Sequence, residues 1–166
     1  GETYHDVNGY LREGPVGRAP EGVQREVIKL DRLIEQRGIV LKDDMVVFRG
    51  TDMADLPIKG GRYVERGYQS TSRNPESADF FGTETLKITI PSGSKLLVVG
   101  KGKEDEVLLP RGWTLDVKPA SIGGTKRGGK MFEATVVSTS RPYSQHDYAK
   151  APTFSPKAAI KWLREK

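Results

Sequence analysis

The apolar periodicity of this chain changes at Gly38. Before it, Val27, Leu30, Leu33 and Ile34 recur at the three- and four-residue spacing that lines one face of a helix starting near Val23. Gly38 then stands where a helix stop is expected. After it the apolar runs are short and read as strands. "MVVFRG" predicts a buried strand closed by Gly50. "TLKITIP" alternates, with Leu86, Ile88 and Ile90 on one face, and "KLLVVG" is another strand. "TLDVKPASI" and "KMFEATVVS" flank the basic glycine turn "GGTKRGGK" and predict a hairpin. Helix first and antiparallel strands later is the order of an α+β domain with two packed sheets. It is not the alternation of βαβ units.

Around this frame the signals are weaker. Gly9, Gly14, Pro15, Gly17, Pro20 and Gly22 keep any helix in "YHDVNGYLRE" short. A short strand is expected over Gly67–Ser72, and "SADFF" reads as a brief helical turn. Near the C-terminal end, "SPKAAIKWLREK" predicts a helix capped by Ser155, with Pro156 at its first position. The 166 residues suit one domain with a real core. The expected division is a folded domain over 1–140 and a tail over 141–166, its helix docked on the same domain.

Composition narrows the chemistry. The chain has no cysteine and only His5 and His146, which excludes a disulfide framework and a Cys- or His-rich metal site. No metal is expected. No apolar run approaches the ~20 residues that span a bilayer, and no signal-peptide pattern opens the chain. The net charge of +5 suits a phosphate-bearing ligand or an acidic partner.

Three short stretches carry candidate chemistry. In "EDEVLLPRG" an extended backbone would set Glu104 and Glu106 on one face and Asp105 on the other. Glu106 would then stand at the mouth of a buried strand and Glu104 one step outward. Such a pair can stabilise developing positive charge and accept a proton. Arg49 ends an apolar strand, where a guanidinium needs a partner, either a structural carboxylate or a ligand phosphate. Gly50 beside it admits close approach to the backbone. Ser70, Thr71 and Ser72 supply consecutive hydroxyls that can orient a carboxylate.

Taken in order, Arg49-Gly50, Ser70-Thr71-Ser72 and Glu104-x-Glu106 resemble the arginine–STS–glutamate class of mono-ADP-ribosyltransferases. "YHDVNGYLR" is similar to that family's N-terminal element, "SADFFG" to the segment after its STS, and "EDEVLLPRG" to its catalytic run. The resemblance extends over about residues 4–137. It implies two mainly antiparallel sheets with N-terminal helices flanking an NAD cleft. Glu106 would be the catalytic glutamate, bonding the nicotinamide-ribose hydroxyl, with Ser70 orienting it and contacting the ribose and Thr71 and Ser72 holding the strand. Arg49 would clamp the NAD pyrophosphate or the adjacent ribose, Arg12 would be a second phosphate contact, the Gly50 backbone would receive the carboxamide, and Phe80 or Phe81 would pack near the nicotinamide. Glu104 would select an arginine acceptor on a target protein.

The family setting implies the catalytic part of a secreted or delivered toxin or effector that acts in the cytoplasm of a target cell, and leaves room for a neutralising partner. Thr83 and Glu84 stand where some relatives place another phosphate-binding arginine. The alternatives are an NAD glycohydrolase, a nucleic-acid target reached through the basic loop lysines and "TKRGGK", and a binding module without activity.

Overall fold

Two helices precede the sheet: α1 over Tyr4–Glu13 and α2 over Glu21–Arg37, with a 3-10 turn at Val16–Arg18 between them. The structure is a computed structural model, and it describes residues 4–78, 83–100 and 105–142. The helix expected from Ser155, with most of the expected tail, lies outside the described residues. Pro20 opens α2 without a side-chain cap, and Gln24 secures the entry by donating from Nε2 to the carbonyls of Gly17 and Ala19. The helix ends at Gly38 as expected, but not through a left-handed turn. Gly38 is extended (φ −65°, ψ 157°), and a Cβ there would lie 2.3 Å from the Ile34 carbonyl oxygen and 2.9 Å from that of Leu96. Close approach, rather than positive φ, requires the glycine.

Strands follow as β1 (Ile39–Val40), β2 (Met45–Thr51), β3 (Arg62–Glu65) and β4 (Gln69–Ser72). A one-turn helix α3 (Pro75–Ala78) precedes β5 (Glu84–Ile90), β6 (Lys95–Val98), β7 (Glu106–Leu109), β8 (Trp113–Gly124) and β9 (Lys130–Ser138). They form one ladder in the order β1-β6-β7-β4-β2-β5-β9-β8-β3. Each pairing is antiparallel except β5–β9. Leu96 and Leu109 from one end of this order share a buried cluster with Tyr63, Leu115 and Val117 from the other. The sheet therefore folds over on itself, and its two halves enclose the main core. That is the two-layered, mainly antiparallel arrangement expected from the sequence, with the layers joined through a continuous ladder.

A second cluster joins the helices to the outside of one half. Val7, Leu11, Val23, Val27, Leu30, Leu33 and Ile34 pack on Tyr68, Leu97 and Leu108. β7 is thus covered on both faces: Val107 and Leu109 point into the main core, and Leu108 points toward the helices. This explains an apolar run that does not alternate.

Candidate active site

β2 pairs with β5 along its whole length, from Met45 to Thr51. On its other side the pairing with β4 is a single residue pair, Phe48 with Ser72. β4 turns instead to β7, which it pairs at Gln69, Ser70, Thr71 and Ser72. The segments Arg49–Thr51 and Gln69–Thr71 therefore border an opening in the ladder.

Ser70 stands opposite Leu108, and Ser72 opposite Glu106, so Ser70 and Glu106 are diagonal neighbours on one face. Ser70 Oγ donates to Glu106 Oε1 at 2.9 Å. Thr71 is on the opposite face, buried, and its Oγ1 donates to the Val107 carbonyl at 2.8 Å. Ser72 Oγ accepts from the Asn74 amide at 3.0 Å and fixes the turn into α3. The three hydroxyls thus divide: one reaches the glutamate and two hold the backbone. Asp105 has φ 45°, so the chain turns immediately before Glu106. The extended backbone assumed for Glu104-Asp105-Glu106 does not hold at Asp105. Glu104, Phe80 and Phe81 themselves lie outside the described residues.

Arg49 turns to the inner face. Its Nη1 donates to Gln69 Oε1 at 3.1 Å and to Tyr63 Oη at 3.4 Å, and its Nη2 lies 3.6 Å from Glu65 Oε1. Arg12 arrives from α1 and donates to the same Glu65 oxygen from Nε (2.9 Å) and Nη2 (2.5 Å). Two arginines distant in sequence thus converge on one buried carboxylate. Burial pushes the Tyr63 phenol up to about 12, with Arg49 opposing the shift, so Tyr63 is a neutral hydroxyl at physiological pH. Gly50, next along β2, pairs with Thr85 and leads to the turn at Met53–Asp55.

The position of Arg12 follows from how α1 is docked. Asn8, one helical turn earlier, accepts from the Tyr68 amide (2.8 Å) and donates to the Tyr68 carbonyl (3.0 Å). Its side chain completes the backbone bonding of the residue just before β4. Gly67 makes this approach possible, because a Cβ there would lie 2.8 Å from Asn8 Oδ1 and 3.1 Å from Arg12 Nε. Tyr68 Oη in turn donates to Asp31 Oδ1 on α2 at 2.5 Å. Asp31 also accepts from fully buried Arg111, in the turn after β7, and pairs with Arg141 at 3.3 Å. This ion cluster fixes the helices against β4 and β7 together.

Comparison with known proteins decides what this geometry belongs to. A sequence model of the ADP-ribosyltransferase exoenzyme family matches residues 1–139. The chain belongs to that family. No curated protein sequence matches it. Among solved structures it is similar to Plx2a, an ADP-ribosyltransferase toxin from Paenibacillus larvae, at 24% identity over 80% of this chain and 79% of that one, with a TM-score of 0.61. It is similar to exoenzyme S from Pseudomonas aeruginosa, solved with human 14-3-3 protein beta and carba-NAD, at 21% identity over 86% and 72% of the two chains and a TM-score of 0.61. C3stau2 from S. aureus, solved with NAD, gives 22% identity over 78% of each chain and a TM-score of 0.64. The fold is that of these ADP-ribosyltransferases.

In this ADP-ribosyltransferase, Thr83 and Glu84 hold a turn in place. Thr83 donates from its amide and from Oγ1 to Asp52 Oδ1, both at 2.8 Å, and Glu84 Oε1 accepts from the Met53 amide at 3.0 Å. The two Thr83 bonds hold the Asp52 carboxyl below its ordinary range, and all three tie the turn after β2 to the start of β5. Among the described residues no cluster of His, Asp and Glu is arranged to hold a metal, and no helix is long and apolar enough to cross a membrane. The sequence reading missed Glu65, Tyr63 and Gln69. The available signal was the short alternation in "RYVE", where Tyr63 and Glu65 fall on one face of an unrecognised strand.

Proposed function

We propose that this ADP-ribosyltransferase uses NAD as the ADP-ribose donor, breaks its nicotinamide–ribose bond and transfers ADP-ribose to an arginine of a target protein. The observation that carries the reading is the Ser70–Glu106 hydrogen bond at the opening between β2 and β4. As nicotinamide leaves with the electron pair of the glycosidic bond, positive charge develops on the ribose. A carboxylate fixed by a hydroxyl donor beside that carbon stabilises the charge without reorganising. Arg49 and Arg12 would hold the NAD phosphates, and the Gly50 backbone on the rim would receive the carboxamide. Phe80 or Phe81 would pack near the nicotinamide, with Thr71 and Ser72 keeping β4 in place. C3stau2 with NAD and exoenzyme S with carba-NAD support the choice of donor.

The acceptor follows from Glu104. A guanidinium is a poor nucleophile, and the Glu104 carboxylate would take its proton as the new C–N bond forms. The setting is that of a toxin or effector acting in the cytoplasm of a target cell, with residues 1–140 as its catalytic domain. The test is labelled NAD incubated with a host-cell extract, followed by mass spectrometry of the modified residues. Labelled arginine is expected, and Glu104→Gln is expected to lose transfer while retaining part of the NAD hydrolysis. Label on nucleic acid, or on side chains other than arginine, would replace the acceptor assignment.

A further inference from the structure

We infer that Glu65 is a positioning residue for the dinucleotide: it holds Arg12 and Arg49 together and shares them with a diphosphate. The inference rests on the NAD reading above. Glu65 ends β3, with its side chain only 3% exposed, and Arg12 and Arg49 come to its Oε1 from α1 and β2. The Arg12 side chain is 43% exposed, and an ion pair made by so exposed a guanidinium adds little stability. Yet it donates from both Nε and Nη2 to that one oxygen. What the contact fixes is direction. It leaves Nη1 of Arg12 with no bond among the described residues and available to a ligand.

The charge balance agrees. Two guanidiniums and one carboxylate leave a single positive charge, so the group is stable without ligand and still attracts a dianionic diphosphate. Beside Arg49, Gln69 Nε2 is buried with no partner among the described residues, a further donor for an oxygen entering there. With Glu65 neutral, the two guanidiniums would repel each other and the long Arg12 side chain would regain its freedom. Binding NAD would then require both arginines to be ordered again. The extra net positive charge works the other way, but solvent screens it at the exposed Arg12.

The experiment measures NAD binding by calorimetry and nicotinamide release by steady-state kinetics, for the whole chain and for Glu65→Gln and Glu65→Asp, with thermal melts to confirm folding. Glu65→Gln is expected to raise Kd and KM for NAD by about tenfold or more while kcat stays within about threefold. Glu65→Asp, which keeps the charge, is expected to recover part of the affinity, and it carries the test if the glutamine variant does not fold. On an Arg12→Gln background, Glu65→Gln is expected to add less than its full effect. Unchanged NAD affinity in both Glu65 variants would overturn the inference, as would a fall in kcat at constant KM or full additivity with Arg12→Gln. Those outcomes, obtained with a native chain that binds NAD, leave the proposed function standing. A native chain that binds no NAD overturns both.

Discussion

Ser70 Oγ is one short side chain, yet it fixes where the Glu106 carboxylate points. Ser70→Ala leaves the fold intact, since Thr71 and Ser72 carry the backbone bonds of β4. It is expected to lower kcat for nicotinamide release about 100-fold, the usual loss when one positioned hydrogen bond at a reacting centre is removed. Tyr63 gives a pH prediction. Its folded-state pKa, raised to about 12 by burial, lies above the ordinary 10.0, so the folded protein holds this proton more tightly than the unfolded chain. Stability from this source is complete below pH 10 and is lost as pH rises toward 12, by about 2–3 kcal/mol in all. Tyrosine absorbance during alkaline titration checks this, and Tyr63→Phe is expected to remove that part of the alkaline loss. Arg49 was legible in the sequence as a guanidinium needing a partner, but not which partner. Glu65 shares a face with Tyr63 in a strand of four residues, and its meeting with Arg49 depends on how the sheet folds over.

At the scale of elements, α2 was readable because Val27, Leu30, Leu33 and Ile34 keep one helical stripe, and all four are buried. β5 was readable because Leu86, Ile88 and Ile90 alternate, and all three enter the core. What did not follow from pattern was how helices and strands are tied. Asp31 and Arg111 lie in segments with no shared motif, yet their bonds join α2 to the turn after β7 and, through Tyr68, to the start of β4. Asp31→Ala leaves buried Arg111 without this carboxylate and is expected to cost about 3–5 kcal/mol, read as a lower midpoint in urea at constant slope. Gly67→Ala tests the docking of α1. Its Cβ would press on Asn8 and Arg12, so weaker NAD binding, about tenfold in KM, is expected along with reduced stability.

For the whole molecule, the order of helices and strands gave the fold class, because each half of the chain keeps its own periodicity. The continuous ladder was beyond pattern reading: β5 and β9 pair in parallel across a long sequence separation, and β3 reaches β8 at the far end. The opening between β2 and β4 is a product of that topology, and it brings a serine and a glutamate from separate motifs within 2.9 Å. The motif order pointed to these residues, and the register of β4 against β7 explains how they meet.

In the proposed reaction Glu106, oriented by Ser70, drives cleavage of NAD. The most direct measurement is the rate of nicotinamide release from NAD by the native chain and by Glu106→Gln at saturating NAD. A loss of about 1000-fold in kcat with NAD binding retained is expected, since the amide keeps the shape but not the charge. Release at the native rate in Glu106→Gln would overturn this role for Glu106.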